Sequence, residues 1–282
     1  YGAKADRRGT YRFFEPEMDM RMKARRALET ALRQAMTNGE FQVHYQPIVN
    51  VDDRRIVACE ALLRWDHPER GTIAPGEFIP VAEEIGLITS LGEWVLRRAC
   101  IDAMRWPEDI KVAVNLSPTQ VASQNLVPMV IGALAAAGLS GDRLEIEITE
   151  SVLMHNTAKT TATLHQLRAL GARISMDDFG TGYSSLSYLR KFPFDKIKID
   201  HSFINGLPDD NESLAIVKAV AGLAASLNIM ATAEGVETAQ QLELIRTLGC
   251  VEMQGYLFSP PRPQVTLLHL FEPHRRPLAR TG

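Results

Sequence analysis

Asp177 and Asp178 stand side by side at the end of the apolar run in "ISMDDFGTGYSS" (174–185), with Gly180 and Gly182 close behind. Adjacent carboxylates repel one another, and a regular strand points neighbouring side chains to opposite faces. The pair makes sense if it shares cations. Further polar groups fall within or at the ends of other β-branched runs: Glu60, Asn115, Glu147, Lys198 with Asp200, Glu234 and Gln254. Burying that many carboxylates without partners costs several kcal/mol each. An oxygen-only set, with no CxxC and no HxxxH pairing, suits Mg²⁺ or Mn²⁺ rather than structural zinc. Two such ions about 3.5–4 Å apart are a recurrent device for phosphoester hydrolysis. One aspartate can bridge both ions while its neighbour, turned inward as the strand ends, binds the second. The two glycines would allow the sharp turn.

Other readings compete. An Asp pair at a strand end is, taken alone, more often a turn opener or a helix cap. The metal reading rests on six acids and amides falling in register on five strands. "GTGYSS" also looks like a dinucleotide-binding turn, with Asp200 18 residues beyond Gly182. Ser185 stands where the third glycine belongs, and two acids would face a pyrophosphate, which argues against it.

The elements that must hold these groups alternate regularly. Short runs suited to strands occupy 41–49, 55–65, 111–117, 143–149, 173–179, 196–200, 229–236 and 251–258. Between most of them lie patterns of helical spacing, several stopped by glycine. Eight strands alternating with helices imply an α/β fold of the (β/α)8 barrel type, whose site lies at the C-terminal strand ends. Only "NVDDR" separates the first two runs, too little for a parallel crossover. The first pair is therefore expected to be an antiparallel hairpin, and the barrel a modified TIM barrel. Residues 20–36 read as an amphipathic helix leading into the first strand.

Composition narrows the classes. The chain has 282 residues, 45% hydrophobic and 23% charged, with a net charge of −3. No basic field marks a duplex nucleic-acid binder, although a pocket could still take an anionic ligand. Three scattered cysteines read as buried, reduced thiols of a cytosolic protein. No apolar stretch reaches the roughly 18 residues of a membrane span. The first residue is not Met, so the chain is read as an excised fragment whose parent could carry a membrane anchor upstream.

Nine segments, in order, resemble the EAL domain family of cyclic di-GMP phosphodiesterases. They are "YQPIV" (45–49), "CEALLRW" (59–65), "FIPVAEEIGLI" (78–88), "VNLSP" (114–118), "EITES" (147–151), "DDFGTGYSSL" (177–186), "KIKID" (196–200), "AEGVE" (233–237) and "QGYLFSPP" (254–261). The resemblance spans about residues 25–265 and implies the same barrel with one antiparallel strand. It implies two Mg²⁺ or Mn²⁺ ions, the first held by Glu60, Asn115, Glu147 and Asp177. Asp177 would bridge to the second, which Asp178 and Glu234 also hold. Lys198 resembles the residue that positions or deprotonates the attacking water, and Glu237 a supporting acid. Gln46 and Arg64 resemble contacts to the dinucleotide, and Gln254 a contact to water or substrate. Glu150 resembles the anchor of the loop 179–186 after the fifth run, which the family links to dimerisation and metal binding. One position departs from the pattern. Val251 stands where the family usually has Asp, and Glu252 is expected to point to the other face.

The implied activity is opening of cyclic di-GMP to linear pGpG; the oxygen-only ligand set leads to the further expectation that Ca²⁺, with its longer bonds, binds there and inhibits. Residues 1–24 resemble the end of a GGDEF domain with its linker, residues 25–282 the EAL domain, in a cytoplasmic homodimer. Two alternatives differ in class. A cyclic di-GMP receptor without turnover usually lacks several ligands that are present here. An enolase-like barrel with a lysine base would need a capping domain.

Overall fold

The computed structural model describes residues 16–154, 157–181, 189, 192 and 194–275. The chain divides into two units, residues 1–41 with 65–87, and residues 42–64 with 88–282.

The larger unit is a closed barrel. Its strands are β1 (Phe41–Asn50), β2 (Ile56–His67), β4 (Lys111–Leu116), β5 (Leu144–Thr149), β6 (Arg173–Phe179), β7 (Lys196–Ile199), β8 (Met230–Ala233) and β9 (Glu252–Gln254). Neighbours run β1-β9-β8-β7-β6-β5-β4-β2, and β2 pairs with β1 to close the ring. Pairings from β2 through β4 to β9 are parallel, whereas β1 is antiparallel to β9. The expected hairpin is present. Asn50 accepts the amides of Asp52 and Asp53, and Arg54 turns the chain back at φ 58°.

Alternation along the strands decides what faces where. In β5, Leu144, Ile146 and Ile148 join the hydrophobic core outside the barrel, which leaves Glu145 and Glu147 pointing inward. Likewise Ile197 and Ile199 of β7 face the core, and Lys196 and Lys198 the interior. Ile48, Ala58 and Ala113, in phase with Gln46, Glu60 and Asn115, form a small separate apolar cluster. TIM barrels usually fill this space with branched apolar residues. Here Glu60, Glu145, Glu147, Asp177, Lys196, Lys198 and Glu252 are buried in it instead.

The smaller unit holds the helix Pro16–Asn38, the helix Pro75–Glu84 and a hairpin of β2 with β3 (Gly71–Ile73). Trp65 is buried there against Phe41 and Phe78, and its indole N–H donates to Glu40. Arg25 and Glu84 form an ion pair between the two helices. The helix expected over 20–36 is thus found and longer; of residues 1–24, read as the end of an upstream domain with its linker, residues 1–15 lie outside the described residues. A further short strand, β10 (Arg262–Pro263), pairs with β1 and was not expected. Among the described residues, no helix is long and apolar enough to cross a membrane.

Candidate active site

The parallel strands end at one mouth, and β1, running the other way, brings Gln46 to the same level. Lys198 Nζ sits at the centre. It lies 2.7 Å from Glu234 Oε1, 3.0 Å from Glu147 Oε2, 3.3 Å from Asp177 Oδ1 and 3.5 Å from Glu60 Oε2. Glu60 also accepts from Asn115 at 2.6 Å and from Gln254 at 2.8 Å, and Gln254 donates to Gln46 at 2.9 Å. One network therefore links residues of β1, β2, β4, β5, β6, β7 and β9 with Glu234, which directly follows β8.

How two neighbouring aspartates serve one site is answered by the backbone. Asp178 adopts φ 54°, and the β6–β7 register shifts between Met176 and Phe179. A bulge with a left-handed residue breaks the strand alternation, so Asp178 need not point away from Asp177. Asp177, Asp178 and Glu234 each offer a carboxylate oxygen within 4.8 Å of the other two. The sharp turn is made by Asp178 itself and by Gly180 at φ 99°. Gly182 lies outside the described residues.

The electrostatics show a site short of positive charge. Burial and the adjacent Glu60 push the Glu147 carboxyl well up. Burial, against the pull of Lys198 and with help from Asp177 and Glu60, raises Glu234 to about 8. Asp178 is raised by burial, Asp177 and Asp200. Burial also works against Glu60, but Lys198 and the amide donors Gln254 and Asn115 prevail and hold it low. Lys198 itself is held well above its usual value by the surrounding carboxylates, despite its burial. Four acids thus surround one ammonium with Asp178 beside them, and buried Glu147 Oε1 has no hydrogen-bond partner among the described residues. Oxygen donors with surplus negative charge fit hard divalent cations.

The remaining candidates divide. Arg64 is half-buried, near enough to Glu60 to feel its charge, and donates to the Leu63 carbonyl at 2.9 Å. Glu150 is buried directly after β5, but most of the loop it was expected to anchor lies outside the described residues. Glu237 is exposed; its amide, not its carboxylate, engages Gln241 at 2.8 Å, so the structure does not bring it into the cluster. Asp200 caps the helix His201–Asn205 by accepting from Ser202, the bland alternative for an acid at a strand end. Val251 is 43% exposed, and Glu252 is buried inside the barrel. What the sequence reading missed is its partner there, Lys196, whose signal was the period-two pattern of "KIKID".

The EAL domain family matches residues 29–261. The chain belongs to the EAL domain family. Among curated relatives, the y4lL protein of Sinorhizobium fredii is 52% identical over 261 residues, 93% of this chain and 32% of its own length. The bifunctional diguanylate cyclase/cyclic di-GMP phosphodiesterase MucR of Pseudomonas aeruginosa is 44% identical over 272 residues, 95% of this chain and 40% of its own. This EAL chain therefore spans about a third of the length of the curated relatives it matches. Among solved structures, the PaMucR phosphodiesterase in complex with c-di-GMP superposes with a TM-score of 0.83 at 44% identity, covering 86% of this chain and 99% of that one.

Proposed function

We propose that this EAL domain is a metal-dependent phosphodiesterase that hydrolyses cyclic di-GMP to linear pGpG. The observation that carries the reading is the ring of Glu60, Glu147, Asp177 and Glu234 around Lys198, with Asp178 beside it. Relatives and a solved neighbour named for this substrate support the choice of dinucleotide.

Mg²⁺ or Mn²⁺ would be held by Glu60, Asn115, Glu147, Asp177, Asp178 and Glu234, supplying a water of lowered pKa and neutralising phosphate charge. The protein's own groups do the rest. Lys198, whose three N–H donors face the surrounding acids, would turn one of them to the water and orient it toward phosphorus. Gln46 and Gln254, tied to each other and to Glu60, set the height of the dinucleotide above that layer. Arg64 presents a planar donor fork suited to a phosphate. Glu150, buried directly after β5, would serve as the loop anchor, and Glu237, exposed outside the cluster, as a supporting acid without direct contact to the ring. A GGDEF domain upstream is part of the same reading, supported by the likeness of residues 1–24 to the end of such a domain and by the much greater length of the relatives.

Anion-exchange chromatography of cyclic di-GMP incubated with the protein and Mg²⁺ tests the reading. The expected product is pGpG. Dinucleotide bound but recovered intact would make the domain a receptor, and dinucleotide neither bound nor cleaved would contradict the substrate as well.

A further inference from the structure

β5, β7 and β9 are not neighbours, since β6 and β8 lie between them. Lys196 nonetheless joins all three through the barrel interior, with Nζ 2.7 Å from Glu145 Oε1 and 2.6 Å from Glu252 Oε2. Each member lies two residues before a site residue on the same strand and face: Glu145 before Glu147, Lys196 before Lys198, Glu252 before Gln254. At about 3.3 Å per residue, this charged layer sits roughly 6.6 Å below the site layer. The fourth alternate strand, β2, supplies Ala58 below and Glu60 above, which completes the four-residue layering of such barrels.

A buried ion pair is often no more stabilising than apolar residues of equal volume. Stability alone therefore does not account for the triad. Its charge count is informative: two acids, one ammonium, and buried Glu145 Oε2 and Ser175 Oγ with no hydrogen-bond partner among the described residues. Thr232 also donates to Glu252 at 3.3 Å, and half-buried Lys111 on β4 is near enough to feel both acids, but Lys196 is the ammonium that pairs with the two of them; the next ammonium up the barrel is Lys198.

We propose that Lys196 is a positioning residue for the hydrolysis. By engaging Glu145 and Glu252 it keeps them from competing for Lys198, whose ammonium is left to the acids of the upper layer. The inference rests on the phosphodiesterase reading of that upper layer. Without Lys196, two buried carboxylates draw Lys198 downward, while the dinucleotide contacts of Gln46 and Arg64 on β1 and β2 are untouched.

Three proteins test this: wild type, Lys196→Met, and the triple variant Glu145→Gln/Lys196→Met/Glu252→Gln. A misplacement of about 1 Å costs on the order of a hundredfold in rate, so Lys196→Met should lose about that in kcat with KM nearly unchanged. The triple variant removes the competing charges along with the ammonium and should recover turnover to within roughly threefold of wild type. Wild-type kcat in Lys196→Met would overturn the proposal. So would a folded triple variant as slow as the single one, because the layer would then be a strut. If Lys196→Met does not fold, Lys196→Met/Glu145→Gln, with one unpaired acid, takes its place in the comparison. An inactive wild type contradicts the phosphodiesterase reading instead. A crystal structure of the single variant then decides the inference alone: Lys198 Nζ drawn toward Glu145 supports it, and an unmoved Lys198 overturns it.

Discussion

Lys198 Nζ lies 2.7 Å from Glu234 Oε1, the shortest of its contacts to the four acids around it. Glu234 in turn belongs to the cluster with Asp177 and Asp178. The group assigned to orient the water thus abuts the carboxylates assigned to the second metal, so site charge, metal affinity and stability are linked.

Replacing Lys198 by Met should expose that link. Breaking a buried pair by removing one partner costs about 3–5 kcal/mol, and here four acids lose their ammonium. The metal-free variant should melt well below wild type, and Mg²⁺ should restore much of the loss. Turnover should fall with substrate affinity retained, measured by steady-state kinetics and by calorimetry. Loss of affinity in proportion to turnover would make Lys198 a phosphate clamp.

The pH dependence of metal-free stability follows from the raised acids. A carboxyl whose folded pKa is raised favours the folded state while protonated. Glu234, at about 8 against an ordinary 4.5, gives stability that is complete below pH 4.5 and lost as pH rises through 8. Glu147 and Asp178 act in the same sense, and Glu60, held low, in the opposite one. Because cations compete with protons for these oxygens, Mg²⁺ should raise the melting temperature more at pH 8 than at pH 6. Scanning calorimetry with and without Mg²⁺ checks this, and equal shifts at both values would contradict it.

Asp178 separates folding from chemistry. Its φ of 54° suits glycine, so Asp178→Gly should fold at least as stably as wild type. Turnover should nevertheless fall at least about tenfold, since an acid assigned to the metals is gone. Asp178→Val should instead lose roughly 1–2 kcal/mol from the left-handed backbone. Chemical denaturation and product assays read the two effects apart.

Ca²⁺ should occupy the same oxygen ligands at longer range, about 2.3–2.6 Å against 2.0–2.1 Å for Mg²⁺. Dinucleotide should then bind without being cleaved, and Ca²⁺ should compete with Mg²⁺ in turnover assays. Binding calorimetry in Ca²⁺ and chromatography of the recovered ligand check both halves.

Much of this was legible in the sequence, for physical reasons. The short "NVDDR" link made the β1–β2 hairpin unavoidable, and polar groups at the strand ends marked the mouth. Strand ends were less legible. The runs expected over 229–236 and 251–258 stop at Ala233 and Gln254, because the chain leaves the sheet there. Gly235 turns at φ 75°, and Gly255 packs so tightly on the Val236 backbone that no Cβ would fit. The period-two pattern of "RLEIEIT" and "KIKID" normally means one wet face, and only closure of the sheet reveals both faces buried. That is why the layer of Glu145, Lys196 and Glu252 went unread. Glu237 illustrates the reverse: a motif position suggested a role, and the structure leaves its side chain in solvent.

The most direct test of the central claim is cyclic di-GMP turnover by wild type and Asp177→Asn, followed with Mg²⁺, then with EDTA, then with Mg²⁺ restored. Asp177 lies within reach of Lys198 and of both other members of the acid cluster, so its charge serves the whole site. Wild type should form pGpG, stop with EDTA and resume when Mg²⁺ returns, while Asp177→Asn, with an unchanged circular dichroism spectrum, should be slower by more than about a hundredfold. Turnover that persists in EDTA, or an Asp177→Asn rate close to wild type, would contradict the account.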